Sequence, residues 1–237
     1  MGLEDKYDSF YKRKLEKENF TSIELTKWPR NRMEAIIFSI EIMNLRRESV
    51  LDVGCGNGQL LFQLKSKFSK LYGLEYSKDR LQQAIINLEG LPFTPFKGSA
   101  ENLSEIEDCS IDCIVSADTI EHIPDVYKAT DEMFRIIKPG GSLIINTPNI
   151  ASIKKRLLLL FGRFPSTSQA NEGLGNDILF DGGHLHYFTF RSLKMLLEKS
   201  GFTIEQVIGY GRFGRAQNFY PSLLSGGAQV VAKRPKI

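Results

Sequence analysis

The chain has 237 residues, of which 42% are hydrophobic, so it carries enough apolar side chains to bury a core and is not expected to be mainly disordered. Its 31 basic and 28 acidic residues give a net charge of +3, which by itself predicts neither a nucleic-acid partner nor an anionic membrane partner. The three cysteines are odd in number and lack the spacing of a zinc site, which excludes a disulfide framework and favours the reducing cytoplasm.

Residues 1–48 are predicted to form an N-terminal helical cap. Apolar residues recur at helical spacing in the second part of this segment, for example at Ile36, Ile37 and Ile40. The dipeptide Trp28-Pro29 interrupts the helical pattern, so we expect more than one helix in the cap.

Residues 49–148 alternate short apolar strands with helical segments, a pattern that predicts an α/β core with a mostly parallel sheet. The sequence Lys138-Pro139-Gly140-Gly141 is expected to form a turn that ends the last helix of this core and leads into its last strand. Strands are predicted at Val50–Val53, Lys70–Glu75, Thr94–Lys97, Ile111–Ser116 and Ser142–Thr147, and helices near Gly58–Phe68, Lys78–Leu88 and Val126–Ile137.

Residues 149–188 interrupt the alternation for about forty residues, which is typical of a lid or of an acceptor-binding insertion. The stretch 152–164 begins with basic residues and continues with apolar ones. We favour a lid helix whose apolar side closes the pocket, and peripheral contact with a membrane or a lipidic substrate is left open. The longest apolar run, Leu157–Phe161, is far shorter than the roughly 20 residues that cross a bilayer, so no transmembrane segment is predicted.

Residues 189–237 are predicted to complete the core sheet. A helix at Arg191–Ser200 resumes the layering, and strands at Phe202–Tyr210 and Ala228–Ala232 are expected to form a C-terminal hairpin.

A glycine-rich turn follows the first strand of the core and leads into a helix. Gly54, Gly56 and Gly58 leave room for a ligand to approach the backbone, as expected at a nucleotide-binding turn. A dinucleotide fingerprint requires a third glycine where this chain has Gln59, and the Gly-Lys-Ser/Thr of a P-loop is absent from the sequence. The spacing therefore argues against nicotinamide, flavin and P-loop cofactors.

The turn, written Asp-x-Gly-x-Gly-x-Gly, resembles the first motif of class I S-adenosylmethionine-dependent methyltransferases, of the type 11 and type 23 kinds. Further matches follow in the family's order at Glu75, at 98–102, at 116–125 and at 138–141. The resemblance implies a three-layer Rossmann-like fold with a seven-stranded, mostly parallel sheet and an antiparallel C-terminal hairpin. It also implies S-adenosylmethionine as the cofactor and S-adenosylhomocysteine as the product.

The resemblance also implies the residues of the cofactor site. Asp52 is expected near the ammonium group of the ligand, where a carboxylate complements a cation, and Glu75 is expected to accept the two ribose hydroxyls. Ser99 stands where the family more often has an aspartate beside the adenine, so Glu101 is an alternative partner there. The predicted cofactor-binding residues are Asp52, Gly54, Cys55, Gly56, Gly58, Glu75, Tyr76, Ser99, Ala100, Glu101, Ser116 and Asp118.

All three histidines of the chain fall in regions that are expected to border the acceptor. His186 or His184 is predicted to be the general base, with His122 as a further catalytic candidate, because an unperturbed imidazole titrates near pH 6.5. The segment Asp118-x-x-Glu121-His122 also resembles the Glu-x-x-Glu-His of metal-dependent O-methyltransferases. A divalent metal is not favoured, because Asp118 shortens the reach and because Glu-His-Ile-Pro also occurs in metal-free members of the superfamily.

The function that these patterns favour is methyl transfer from S-adenosylmethionine to an oxygen or nitrogen atom of a small-molecule acceptor. Alternatives are an RNA 2′-O-methyltransferase with a divalent metal, which the modest charge disfavours, and a cofactor-binding partner protein without turnover. No nucleic-acid partner is expected, and the sequence leaves open whether the protein is a monomer or a homodimer.

Overall fold

The computed structural model describes residues 2–11, 15–25, 27–43, 45–168, 172–175, 179–211 and 213–236. Within them, seven strands form one sheet: β1 Ser49–Val53, β2 Lys70–Glu75, β3 Phe93–Lys97, β4 Ile111–Ala117, β5 Ile137–Pro148, β6 Thr203–Tyr210 and β7 Gly227–Lys233. Their order is β3-β2-β1-β4-β5-β7-β6, in which β7 runs antiparallel to both of its neighbours and the other pairs are parallel. This confirms the predicted sheet and C-terminal hairpin.

Helices cover both faces of the sheet, because successive strand residues point to opposite sides and both sets are apolar. Val50 belongs to one buried cluster with Ile36 and Leu61, whereas its neighbour Leu51 belongs to another with Met133. The described α-helices are α1 Leu3–Tyr11, α2 Arg32–Ile42, α3 Gln59–Leu64, α4 Lys78–Asn87, α5 Val126–Ile136, α6 Ile153–Leu160, α7 Phe190–Lys199, α8 Ala216–Phe219 and α9 Pro221–Leu224. None of these described helices combines the length and apolarity needed to cross a bilayer.

Polar side chains fix where the core helices begin. The Ser77 hydroxyl accepts the Arg80 N–H at 3.3 Å at the start of α4, and the Asp125 carboxylate accepts the Lys128 N–H at 3.0 Å at the start of α5. Thr189 forms a reciprocal capping box at the start of α7. Such caps satisfy amide groups that have no partner inside the helix, so these starts are set locally by the sequence.

The N-terminal segment is less helical than predicted, since the described residues 15–25 contain no helix. This stretch is instead tied to the core by side chains. The Glu18 N–H donates to the Asn87 side-chain oxygen at 2.8 Å. The Gln63 side chain donates to the Thr21 carbonyl and accepts the Ile23 N–H, both at 2.9 Å. The core amides thus replace the hydrogen bonds that a helix would have supplied.

The prediction of a turn at 138–141 was wrong, because these residues lie inside β5. Ile137 of β5 pairs with Ile111 of β4, and the next pair joins Ser142 to Cys113. The register between the two strands therefore shifts at residues 138–141. Gly140 absorbs this irregularity with a φ of 76°, which an L side chain adopts only under strain.

The long insertion leaves and rejoins the core at one place. Asn149 and Phe188 form a parallel bridge, and the Ile150 N–H donates to the Phe188 carbonyl at 2.9 Å. Because β5 ends at Pro148, the insertion lies beyond the carboxyl end of the central strands. Its described helical parts are α6 and a short 3₁₀ helix at Phe180–Gly183.

Candidate active site

A cavity of about 1050 Å³ opens at the carboxyl ends of β1, β2 and β4. The strand order reverses between β1 and β4, and open α/β sheets bind ligands at such a point. Its walls combine the glycine turn, the residues after β2 and β4, and parts of α1 and of the insertion. The volume is at the upper end of the range for small-molecule pockets, enough for a cofactor and a small acceptor together.

The three glycines of the turn have positive φ values of 82°, 56° and 84° at Gly54, Gly56 and Gly58. A Cβ atom on Gly54 would lie 2.2 Å from the Thr119 hydroxyl, and one on Gly56 would lie 2.2 Å from the Arg80 guanidinium. Gly54 lines the cavity, whereas Gly56 and Gly58 lie behind the lining and shape the turn. All three φ values favour glycine, and at Gly54 the short Thr119 side chain also leaves no room for a Cβ.

Glu75 ends β2 and joins the glycine turn to the start of α4. Its carboxylate accepts the Gly56 N–H at 2.8 Å and the Ser77 N–H at 2.9 Å. Each carboxylate oxygen has a further lone pair, so Glu75 retains capacity for hydroxyl donors from the cavity that it lines. Tyr76 also lines this part of the cavity.

Asp52 lies near the end of β1 with only 2% of its surface exposed. Its Oδ1 atom is buried and has no hydrogen-bond partner among the described residues. Burial raises the pKa of the Asp52 carboxyl to about 7, the charge of Glu75 adds to the rise, and Arg80 and Arg32 oppose it. A cationic ligand group would satisfy this orphaned oxygen and stabilise the ionised carboxylate.

Ser99, Ala100 and Glu101 line the side of the cavity next to β3. The Ser99 hydroxyl donates to Glu101 at 2.8 Å, and the other Glu101 oxygen accepts the Asp125 N–H at 2.8 Å. Glu101 thus braces this wall. Ser116, by contrast, is fully buried in β4 and lies outside the cavity lining.

Glu121, His122 and His184 meet on the opposite side of the cavity, although the two histidines lie far apart in the sequence. Each offers a ligand atom, and these atoms lie within 4.8 Å of one another. The His122 and His184 rings meet edge to face, with their centroids 4.7 Å apart. Glu121 is 1% exposed; one carboxylate oxygen accepts the Thr147 hydroxyl at 3.0 Å, and the other is buried without a partner among the described residues.

Hydrogen bonding fixes the tautomer of His122. Nδ1 lies 3.0 Å from the Gly183 carbonyl, which only accepts, so Nδ1 carries the proton and Nε2 carries the lone pair. The Tyr7 hydroxyl also lies 3.1 Å from Nδ1. Burial lowers the pKa of His122, and burial together with the His122 charge lowers the pKa of His184 to about 4, so both imidazoles are neutral near pH 7.

His186 does not join this cluster. Its Nε2 donates to the Pro124 carbonyl at 3.2 Å, and it lies outside the cavity lining. The α6 helix, which we expected to close the pocket, also contributes no residue to the lining. The insertion reaches the cavity instead through Thr167, Ser168, Gly182 and His184.

Several cavity residues carry no sequence signal. Arg32, from α2, donates to the Asp118 carboxylate at 2.7 Å across 86 residues, and Tyr7 comes from α1. Asp118 has a φ of 48°, an uncommon value for a residue other than glycine. Burial raises the pKa of Asp118 against the opposing charge of Arg32. Only tertiary structure brings these groups together, so periodicity and spacing in the sequence give no sign of them.

Comparison with known proteins assigns the chain to a family. A family model described as a methyltransferase domain matches residues 17–207. The chain belongs to this methyltransferase family. A solved S-adenosylmethionine-dependent methyltransferase from Methanosarcina mazei has a similar fold, with a TM-score of 0.62, 24% identity, and coverage of 85% of this chain and 98% of the other.

Two curated relatives each align with less than half of this chain. The ubiquinone biosynthesis O-methyltransferase of Alkalilimnicola ehrlichii is 31% identical over 107 residues, covering 44% of this chain and 43% of the relative. The demethylmenaquinone methyltransferase of Desulfitobacterium hafniense is 30% identical over 125 residues, covering 48% and 49%. The chain therefore spans less than half the length of either relative.

Proposed function

We propose that this protein transfers a methyl group from S-adenosylmethionine to an oxygen or nitrogen atom of a small-molecule acceptor. The observation that carries the proposal is a cavity lined both by Asp52, Gly54 and Glu75 and by the neutral His122–His184 pair. The donor side fits the cofactor, because Gly54 lines the cavity without a side chain and Asp52 presents an orphaned buried oxygen. A bound cofactor would supply the electrophilic methyl group.

The protein itself would hold the acceptor in line with the methyl group and would supply a base for the acceptor's proton. In-line displacement at a sulfonium gains much of its rate from holding the acceptor in position, and the shared cavity provides for this. His122 is the best-placed base: its Nε2 lone pair is set by the Gly183 bond, and its lowered pKa keeps it neutral. An acceptor hydroxyl or amine would pass its proton to Nε2.

The test pairs two histidine variants. His122→Asn retains an amide donor for the Gly183 carbonyl but removes the Nε2 lone pair. We expect turnover to fall by about 10²- to 10⁴-fold while calorimetric affinity for S-adenosylmethionine stays unchanged. His186→Asn, outside the cavity, is the matched control and should retain full turnover. The acceptor comes from a panel of phenols, sugars, amines and RNA; absence of cofactor binding would overturn the proposal.

A second candidate is metal-assisted transfer to a hydroxyl, favoured by the Glu121–His122–His184 cluster. Imidazole nitrogens with one carboxylate suit zinc, iron or manganese, and the orphaned Glu121 oxygen points to a missing partner. Burial, followed by the charge of Asp118, raises the pKa of Glu121 to about 8, as expected for a carboxyl that lacks a cation. A metal held there would polarise the acceptor hydroxyl.

The two candidates make opposite predictions. In the metal version, the purified protein binds Zn²⁺ or Mn²⁺ in calorimetry, Glu121→Gln and His184→Asn each weaken that binding, and a chelator stops turnover. In the base version, a chelator leaves turnover unchanged. Direct metal titration separates the two without reference to any acceptor.

The organisation of the chain is part of the proposal. We divide it into an N-terminal cap at 1–48, a cofactor-binding core at 49–148, an acceptor-site insertion at 149–188 and a sheet-completing segment at 189–237. The free, buried thiols of Cys55 and Cys113 suit a reducing cytoplasm. Burial raises the pKa of Cys55 well above its usual range, which makes this residue a packing group of the turn and not a nucleophile.

A further inference from the structure

Helix α6 is an amphipathic helix that the described part of the protein leaves exposed. None of its residues is buried. Ile153, Leu157, Leu160 and Phe161 are spaced i, i+4, i+7 and i+8, which places them on one face of the helix and its final turn. Their exposed fractions are 40%, 47%, 74% and 77%. A continuous apolar stripe of this kind on a water-facing helix marks an interaction surface.

The charged side chains of residues 149–168, which contain this helix, are all basic. Residues 149–168 contain Lys154, Lys155, Arg156 and Arg163 and no acidic residue, so this short segment carries more positive charge than the +3 of the whole chain. Arg163 pairs with Glu172. The part of the chain that the structure describes supplies no ion-pair partner to Lys154 or Arg156. At 100° per residue, these two side chains flank the apolar stripe on either side.

Helix α6 is also braced against the cavity wall. The Lys155 ammonium donates to the Ser166 carbonyl, and the next residue, Thr167, bonds His184 at 2.6 Å. Burial lowers the pKa of Lys155, consistent with a structural use of its ammonium group. The stripe is therefore held at a fixed place on the surface, with the base of the helix tied to residues that line the cavity.

We propose that α6 docks on an anionic phospholipid membrane, with its apolar stripe in the interface and Lys154 and Arg156 at the lipid phosphates. Interfacial helices of peripheral proteins combine an apolar face with flanking basic residues. Anionic leaflets attract such clusters, and each basic residue near the surface changes membrane affinity about fivefold. This docking does not depend on methyl transfer, so it can hold or fail independently of the proposed function.

The experiment is sedimentation of the full chain with phosphatidylcholine vesicles, with and without phosphatidylglycerol. We expect binding only to the anionic vesicles, and weaker binding as salt rises. Lys154→Gln with Arg156→Gln should reduce the affinity about 25-fold. Leu160→Ser with Phe161→Ser should reduce it at least about tenfold, because both side chains are largely exposed and their removal leaves the fold intact.

A matched control comes from α5. Lys154→Gln with Phe161→Ser removes one basic and one aromatic side chain from α6, and Lys128→Gln with Tyr127→Ser does the same on α5, where both residues are exposed. Only the first pair should reduce vesicle binding. Equal loss in both pairs, or no binding by the wild-type chain, would overturn the proposal. A wild-type dimer that the α6 variants dissociate, without vesicle binding, would identify the stripe as an interface between copies and would also overturn it.

Discussion

Asp52 should make cofactor binding depend on pH. In the unliganded protein its carboxyl has a pKa of about 7, raised by burial and by Glu75. The ammonium group of S-adenosylmethionine, placed against Asp52 as we propose, would favour the ionised form, so binding would remove the proton wherever Asp52 still carries it. Affinity should therefore rise with pH through neutrality.

The size of the effect follows from the titration. With a pKa near 7, the carboxyl is about nine-tenths ionised at pH 8 and about one-tenth ionised at pH 6, so affinity should fall about tenfold between them. Asp52→Asn removes a charge-assisted hydrogen bond of about 1.5–3 kcal/mol, which weakens binding roughly 10- to 150-fold at pH 8. It also removes the pH dependence.

The same substitution should raise the stability of the unliganded protein at pH 8. An acid whose folded pKa lies above its unfolded value contributes stability at low pH that is lost as pH rises through the folded pKa, and asparagine carries no such penalty. A higher melting temperature together with weaker binding would show that the site retains Asp52 at a cost to the fold.

Calorimetry at pH 6, 7 and 8, in buffers of different ionisation enthalpy, measures both affinity and proton release. S-adenosylhomocysteine is the ligand control, because it retains the ammonium group but lacks the sulfonium charge, and it should show the same pH dependence. A pH dependence of equal size in wild type and Asp52→Asn would refute the assignment of the titrating group.

Three further substitutions test the surrounding structure. Gly58→Ala should lower the free energy of unfolding by about 1–3 kcal/mol, because its φ is 84° and a Cβ would lie 2.9 Å from Leu88; Gly90→Ala, with a φ of 83° and open space, isolates the clash in parallel denaturation curves. Glu75→Gln should lower the melting temperature, and it should lower the cofactor affinity at least about tenfold. The Gly56 and Ser77 N–H groups bind different oxygens of Glu75, and glutamine replaces one of these oxygens with an NH₂ group that cannot accept. Unchanged affinity in calorimetry would contradict this reasoning. Burial raises the pKa of Asp181, but hydrogen bonds from the hydroxyl groups of Ser166, Ser168 and Tyr187 lower it further, so the net pKa is lowered. The stability that ionised Asp181 gives the insertion should therefore disappear as pH falls below about 4. Asp181→Asn should speed proteolysis within 149–188 at neutral pH and remove that acid dependence.

Local patterns were enough to predict the sheet and the glycine turn. Val50, Leu51 and Val53, for example, place apolar side chains on both faces of a short segment that Gly54 follows directly, so the strand and the turn follow from neighbouring residues. The turn predicted at 138–141 failed because these residues form an irregular part of β5, which hydrogen bonds of Gly140 and Gly141 with the backbone of Arg234 hold in the sheet. Tertiary hydrogen bonding outweighed the local preference of proline and glycine.

The acceptor side was harder to predict, because its geometry depends on contacts between distant segments. Sequence placed all three histidines near the acceptor, but only the structure separates His184, at the cavity wall, from His186, which donates to Pro124. The ion pair of Arg32 with Asp118 joins residues from different layers of the fold, and spacing gives no sign of it.

The bridge between Asn149 and Phe188 has an evolutionary consequence. Because the two ends of the insertion meet at the core, the chain between them can lengthen, shorten or be exchanged at a small cost in loop-closure entropy. The sheet and the donor turn would keep their register through such changes. Replacement of this one segment would therefore change Thr167, Ser168, Gly182 and His184 of the cavity wall and leave the glycine turn unchanged.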